Sequence, residues 1–234
     1  MYSFFVEDSR IADKTAWIGG EDMRHIRNVL RMREGDKLRI SNGKDRCFVC
    51  RIDAFEEEQI RLVLLEEDPE GTELASRICL FQCLPKGDKM EWVIQKNTEL
   101  GVAEVIPVAS KRAVVKLDAK KAKAKVERWQ AIAKSAAEQS KRTVVPTVQP
   151  VMSFKEALAY AKELDLLVIP YENAEGMAAT KAWLASVKPG LSIGILIGPE
   201  GGFEHEEVEQ AMAMGWQPLT LGRRILRTET AGMA

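Results

Sequence analysis

The sequence predicts an α/β domain built on a mainly parallel sheet, preceded by a smaller β-rich unit. Three observations carry this expectation. From Arg77 to Leu221, short apolar runs alternate with helical patterns, the rhythm of strand–helix–strand connections. Before Glu66, the apolar runs are separated by turn residues such as Asn42-Gly43, a hairpin signal. Between them stands the acidic stretch Glu66-Glu67-Asp68-Pro69-Glu70-Gly71, whose composition suits a linker. The expected division is residues 1–70 and 74–234.

The elements follow in order. Tyr2 to Val6 is a short apolar run. Asp22 is placed to cap a helix reaching about Met32, with His25, Ile26, Val29 and Leu30 at helical spacing. Arg24, Arg27 and Arg31 would then share one stripe of that helix. Lys37 to Ile40, Arg46 to Ile52 and Gln59 to Leu65 read as strands. Beyond the linker, Arg77 to Leu84 is a buried strand, and Asp88 to Leu100 is a helix stopped by Gly101. Val102 to Val108 and Ala113 to Val115 are further strands, and Ala119 to about Gln139 is a long basic helix. Helices are expected at Phe154 to Leu164, Ala178 to Ser186 and His205 to Met214. Strands are expected at Asp165 to Pro170, Leu191 to Ile197 and Pro218 to Leu221.

Composition narrows the function classes. Hydrophobic residues make up 46% and charged residues 29%, ordinary for a soluble globular protein. No apolar run is long enough to span a bilayer, and the start lacks the marks of a secretory signal, so the cytoplasm is the expected compartment. The net charge is only −1, but Lys111 to Arg142 is strongly basic, which suits nucleic acid as well as a solvated helix face. Cys47 and Cys50 have the spacing of a metal knuckle, and Cys79 and Cys83 could extend it. Cys47 and Cys50 fall in a strand, however, where residues three apart diverge, so all four cysteines read as small buried hydrophobes and no metal is expected.

The chemistry concentrates near the C-terminus. Strand Leu191 to Ile197 runs into Gly198-Pro199-Glu200-Gly201-Gly202 and then a helix. Three glycines exceed what a tight turn needs; they permit positive φ and close approach of a ligand, at the strand end where α/β sheets bind ligands. Neither a dinucleotide-binding G-x-G-x-x-G after a strand nor a P-loop is present. A second segment carries Arg223, Arg224 and Arg227, then Thr228-Glu229-Thr230; arginine suits phosphates and base edges, while Thr228 could equally cap a helix. A third, Leu167 to Asn173, also ends a strand with a proline, so three strand ends could share one pocket. His25 and His205 each fall in an expected helix and are not read as catalytic.

Several of these stretches together resemble a known family. They are Gly198 to Phe203, Leu221 to Ala231, Leu84-Pro85-Lys86-Gly87-Asp88-Lys89, Gln95 to Val102, Glu127-Arg128-Trp129, Ala137 to Arg142 and Val145-Pro146. In that order they resemble the 16S ribosomal RNA uridine-N3 methyltransferases, the RsmE family of the SPOUT superfamily. His25 to Asp36 is similar to their N-terminal PUA-like RNA-binding domain, which would be residues 1–70, leaving 74–234 as the SPOUT methyltransferase domain. The resemblance implies a deep C-terminal trefoil knot, an exception to the usual rule against knotted chains. It implies a homodimer that binds S-adenosyl-L-methionine and methylates N3 of one uridine in 16S rRNA within the small ribosomal subunit. Carried over by motif, the donor pocket falls on Ile169, Pro170, Tyr171 and Glu172, on Ile197, Gly198, Pro199, Glu200, Gly201 and Gly202, and on Leu221, Gly222, Ile225 and Leu226. Arg227 would stabilise charge on the uracil, and Glu229 would orient Arg227 or take the N3 proton. Arg24, Arg27, Arg31, Lys111, Arg112, Lys141 and Arg142 would grip RNA phosphates. Members usually continue the last helix beyond Thr230-Ala231, whereas this sequence ends at Ala234, a departure that bears on knot closure and the dimer interface. A SPOUT ribose 2′-O-methyltransferase and a non-catalytic RNA-binding assembly factor are the alternatives.

Overall fold

The computed structural model describes residues 1–68, 71–172, 174 and 176–234. Pro69 and Glu70 of the expected linker, and Asn173 at the end of the third segment, lie outside the described residues. Contacts divide the chain into two units, residues 1–73 with 137–145, and residues 74–136 with 146–234.

The first unit holds strands β1 (Ser3–Phe5), β2 (Ile11–Ala12) and β3 (Thr15–Gly19), a short helix α1 (Gly20–Arg24), then β4 (Lys37–Ser41), β5 (Cys47–Phe55) and β6 (Gln59–Glu67). They form one sheet in the order β1-β4-β5-β6-β3-β2, antiparallel except for β1 on β4. Its core is Phe4, Ile18, Ile26, Leu38, Ile40, Ile52, Ile60 and Leu62 with their neighbours. The β4–β5 hairpin turns at Asn42, whose Oδ1 accepts the backbone N–H groups of Lys44, Asp45 and Arg46 at 3.0, 3.1 and 3.0 Å, as an Asn-Gly turn should.

Three expectations need correction here. Strands β2 and β3 were not foreseen: Thr15 to Gly19 is a short run whose alternation buries Ala16 and Ile18 against β6. The helix begins at Gly20, capped by extended Gly19 and not by Asp22, and passes into a single wide turn over His25–Val29, with Leu30 N–H reaching His25 O at 3.0 Å. Arg31 then adopts a left-handed φ of 52°, so Arg24, Arg27 and Arg31 do not line one regular stripe.

Residues 137–145 complete this unit through buried polar contacts. Arg142 is only 4% exposed, and its guanidinium pairs with Glu73, donating from Nε at 3.1 Å. Glu73 also accepts Thr143 N–H at 2.9 Å. Burial alone would raise the Glu73 carboxyl, but Arg142 and these backbone donors hold it below the usual range. Arg142 is therefore corrected from an RNA contact to an internal brace. Ser41 Oγ donates to Thr143 O at 2.5 Å, and Arg39 pairs with Asp68 at 3.0 Å.

The second unit contains β7 (Arg77–Cys83), α2 (Lys89–Glu99), β8 (Glu104–Ala109), α3 (Ala119–Gln139), β9 (Thr147–Val148), β10 (Met152–Ser153), α4 (Phe154–Tyr160), β11 (Leu166–Pro170), α5 (Met177–Ser186), β12 (Ser192–Ile197), α6 (His205–Ala213), β13 (Gln217–Leu219) and α7 (Thr228–Ala231). Its sheet is wholly parallel, in the order β10-β8-β7-β12-β11-β13 with β9 also on β8. This is the mainly parallel α/β core that the strand–helix rhythm predicts.

Alternation along β7 explains the two layers. Cys79, Phe81 and Cys83 face one core with Phe154, Leu158, Val208 and Trp216 of the α4 and α6 side. Leu80 and Leu84 face the other with Met90, Val93, Ile94, Trp129 and Ala133 of α2 and α3. A sheet covered on both faces favours apolar residues on both sides of each strand, which is why this strand reads as a hydrophobic run broken only by Gln82 near its end. Each large side chain so buried contributes roughly 1.5–3 kcal/mol. All four cysteines are buried, and burial pushes Cys50, Cys79 and Cys83 up to about 12. Ala113 to Val115 is not a strand: Ala113 packs into the second core without a β partner. Among the described residues, no helix is long and apolar enough to cross a membrane.

Candidate functional site

Parallel strands end on the same edge of a sheet, so the C-terminal ends of neighbouring β7, β12, β11 and β13 lie together. A cavity of about 530 Å³ opens at that edge. Its wall comes from Pro170 and Glu172 after β11, from Ile197 to Phe203 after β12, and from Ile225 to Thr228 and Ala231. Lys89, at the start of α2, supplies a cation. A smaller cavity of about 160 Å³ shares Pro170, Glu172, Ile225 and Leu226 with it, and adds Tyr171 and residues 220–224. Every residue assigned from the motifs to a donor pocket, Ile169 excepted, lines one or other of these spaces. Ile169 is buried in the core beneath them.

The glycine turn is shaped by two different needs. Gly202 has a φ of 67°, which only glycine adopts without strain, and a side chain there would meet Glu172 Oε1 at 3.3 Å. At Gly198 a side chain would press on the Phe203 ring at 3.1 Å. Gly201 has neither constraint; a Cβ would only touch Arg112 at 3.5 Å, so positive φ is corrected to Gly202 alone within this turn.

The turn is tied on three sides. Glu200 Oε1 accepts from Lys89 Nζ at 3.0 Å and from Lys86 N–H at 3.1 Å. Burial would raise the Glu200 carboxyl, but these donors hold it below the usual range. Arg112 donates to Gly201 O at 2.9 Å and makes a two-point contact with Glu204 at 2.9 and 3.0 Å. Lys111 pairs with Glu206, and its N–H reaches buried Glu207 at 2.9 Å. Lys111 and Arg112 thus already serve the start of α6. The third tie is Thr228, only 6% exposed, whose hydroxyl donates to Gly198 O at 2.6 Å and accepts from Gln82 Nε2 at 2.9 Å. Thr228 does not cap α7; Arg227 occupies the cap position.

The arginine segment contrasts with this. Arg223, Arg224 and Arg227 are exposed and hold no side-chain hydrogen bond or ion pair among the described residues, and Ile225 is 90% exposed. Glu229 does not orient Arg227, as its motif position suggested; its Oε2 pairs with Lys89 Nζ at 3.2 Å. The Lys89 ammonium, held protonated chiefly by Glu200, therefore bridges the turn and α7. Neither histidine lines the cavity: His25 meets Phe4 edge-on, and His205 pairs with Glu209.

Comparison with known proteins decides the family. Residues 72–234 match a family model described as an RNA methyltransferase domain, and residues 18–65 one described as an RNA methyltransferase PUA domain. The chain is 42% identical over 217 residues to ribosomal RNA small subunit methyltransferase E of Bacillus subtilis, covering 92% of this chain and 85% of that protein. The chain belongs to the RsmE family. The protein of that name from Mesomycoplasma hyopneumoniae is 32% identical, covering 100% of this chain and 96% of the relative. A crystal structure of ribosomal RNA small subunit methyltransferase E from Neisseria gonorrhoeae, bound to S-adenosyl methionine, superposes with a TM-score of 0.86 at 35% identity, covering 100% of this chain and 94% of that one.

In this RsmE-family chain two site residues, Lys89 and Gln82, were not singled out from the sequence, and Thr228 was read only as a possible helix cap. Lys89 stands inside a quoted motif, yet its role depends on two carboxylates more than 100 positions away. Thr228 looked like a helix cap, and its true partners, Gly198 and Gln82, are set only by the convergence of strand ends. Nothing in the sequence signals either pairing.

Proposed function

We propose that this RsmE-family chain methylates N3 of a uridine in 16S rRNA of the small ribosomal subunit, using S-adenosyl methionine as donor. The cavity at the β11, β12 and β13 ends is the single observation that carries this reading. It falls within the roughly 300–1,000 Å³ of small-molecule sites. Its chemistry fits the donor: apolar Ile197, Leu226 and Ala231 for a purine ring, turn backbone for polar edges, and carboxylates for a cation. The donor supplies an electrophilic methyl group on a positively charged sulfonium.

The remaining work falls to the chain's own residues. Arg227, exposed at the cavity rim and unpaired among the described residues, would bind the uracil oxygens and stabilise the N3 anion. Glu229 is the nearest carboxylate in sequence to receive the N3 proton, with Lys89 fixing its position. Holding the reactants in register is worth up to roughly 7–11 kcal/mol. In the first unit, Arg24, Arg27 and Arg31 would grip phosphates, without reading sequence. Lys141, exposed at a φ of 60°, could add to that grip. The reading includes the trefoil knot of the SPOUT class, a homodimer and a cytoplasmic setting.

The test is nucleoside mass spectrometry of 16S rRNA from a strain lacking this chain. Loss of 3-methyluridine supports the proposal. Loss of a 2′-O-methyl nucleoside instead would assign the chain to ribose methylation, and no change would reject both.

A further inference from the structure

Two carboxylates, Glu172 and Glu200, line the cavity, and they are not equivalent. Glu200 and Glu229 share the Lys89 ammonium at 3.0 and 3.2 Å. Glu172 lines both cavities, yet no hydrogen bond or ion pair holds it among the described residues. Its carboxylate stands beside Gly202: a Cβ at that position would lie 3.3 Å from Glu172 Oε1. The left-handed glycine thus leaves space in which a carboxylate faces the donor cavity. Glu172 acts on Arg112 electrostatically, but the hydrogen bonds of that guanidinium go to Glu204 and Gly201.

A carboxylate at a ligand cavity that no ion pair neutralises among the described residues favours a cationic ligand. Resting on the donor reading above, we infer that Glu172 is a specificity residue that distinguishes the charged donor from its spent product. S-adenosyl methionine carries a sulfonium charge; S-adenosylhomocysteine, a neutral thioether, does not. Both carry the same ammonium and carboxylate. Glu172 therefore favours donor over product after each transfer, and product release is promoted by loss of the charge it attracts.

The test is calorimetry on the full chain with each compound separately. Glu172→Gln should weaken S-adenosyl methionine by about fivefold, the size of a partly exposed charge interaction, and leave S-adenosylhomocysteine within about twofold. Glu172→Asp, which keeps the charge, should keep most of the wild-type affinity ratio. An unchanged ratio in Glu172→Gln, with both affinities falling together or neither moving, would overturn the inference, since Glu172 would then contact the shared ammonium or nothing. Equal shifts in the Asp and Gln variants would also overturn it. If the wild-type chain binds neither compound, the donor reading itself fails, a result distinct from either.

Discussion

Two stretches of the same cavity wall are built in opposite ways. The glycine turn, residues 198–202, is held by Lys86 and Lys89, by Arg112 and by Thr228, from three separate parts of the sequence. The arginine segment, residues 223–227, is exposed, and its guanidinium groups are unpaired among the described residues. A site that must hold a small cationic donor benefits from fixed donors and acceptors, because ordering them at binding would cost affinity. A surface that meets a large polyanion can leave its arginines solvated until phosphates or base edges arrive. On the proposed function, the contrast gives pre-formed shape to the donor side and adaptable charge to the RNA side.

The largest expected effect separates the two sides. Arg227→Ala should lower single-turnover methylation by about a hundredfold or more, while donor affinity measured by calorimetry stays within about twofold. Collapse of donor affinity in that variant would merge the two sides into one. Next comes Thr228→Val, which keeps the shape but leaves the Gln82 amide and the Gly198 carbonyl without their partner. It should cost about 1–3 kcal/mol in denaturant unfolding and weaken donor binding along with it. A stable variant with normal donor affinity would mean the turn does not depend on this tie.

A smaller effect concerns RNA alone. Charge reversal at Arg27 and Arg31 should reduce the salt slope of RNA binding by about two and leave donor affinity unchanged. Part of Arg27 is already engaged, its Nη2 donating to Glu56 O at 2.9 Å and its guanidinium lying over Phe55. If Arg31 alone accounts for the change, the grip is narrower than two residues. Smallest of all, Ile225→Ser should alter unfolding stability by no more than about 0.5 kcal/mol, since the side chain buries almost nothing. A large loss would show that the arginine segment is packed after all.

The sequence made the architecture legible where local chemistry decides it. Alternating strands and helices foretold the parallel sheet, the Asn42-Gly43 turn foretold a hairpin, and the glycines after Ile197 foretold the cavity edge. Long-range pairing was not legible. Arg142 sat in a basic run that suited RNA, and only folding brings Glu73 against it. Asp22 looked like a cap because its side chain suits one, but the strand Thr15–Gly19 delivers the chain to Gly20 before Asp22 is reached. Ala113 to Val115 is apolar because Ala113 fills a core, not because a strand runs there. Lys89 was unremarkable until Glu200 and Glu229 arrived on either side of it.

Amide hydrogen exchange on the free chain, then with S-adenosyl methionine, then with small-subunit RNA, tests the division of labour most directly. Residues 198–203 should be protected before any ligand is added and gain further protection with the donor, together with Gly222, Ile225 and Leu226, while Arg223, Arg224 and Arg227 should exchange rapidly until RNA is present. Equal exchange of the two stretches in the free chain, or protection of Arg223, Arg224 and Arg227 by the donor alone to the degree seen at the turn, would contradict it.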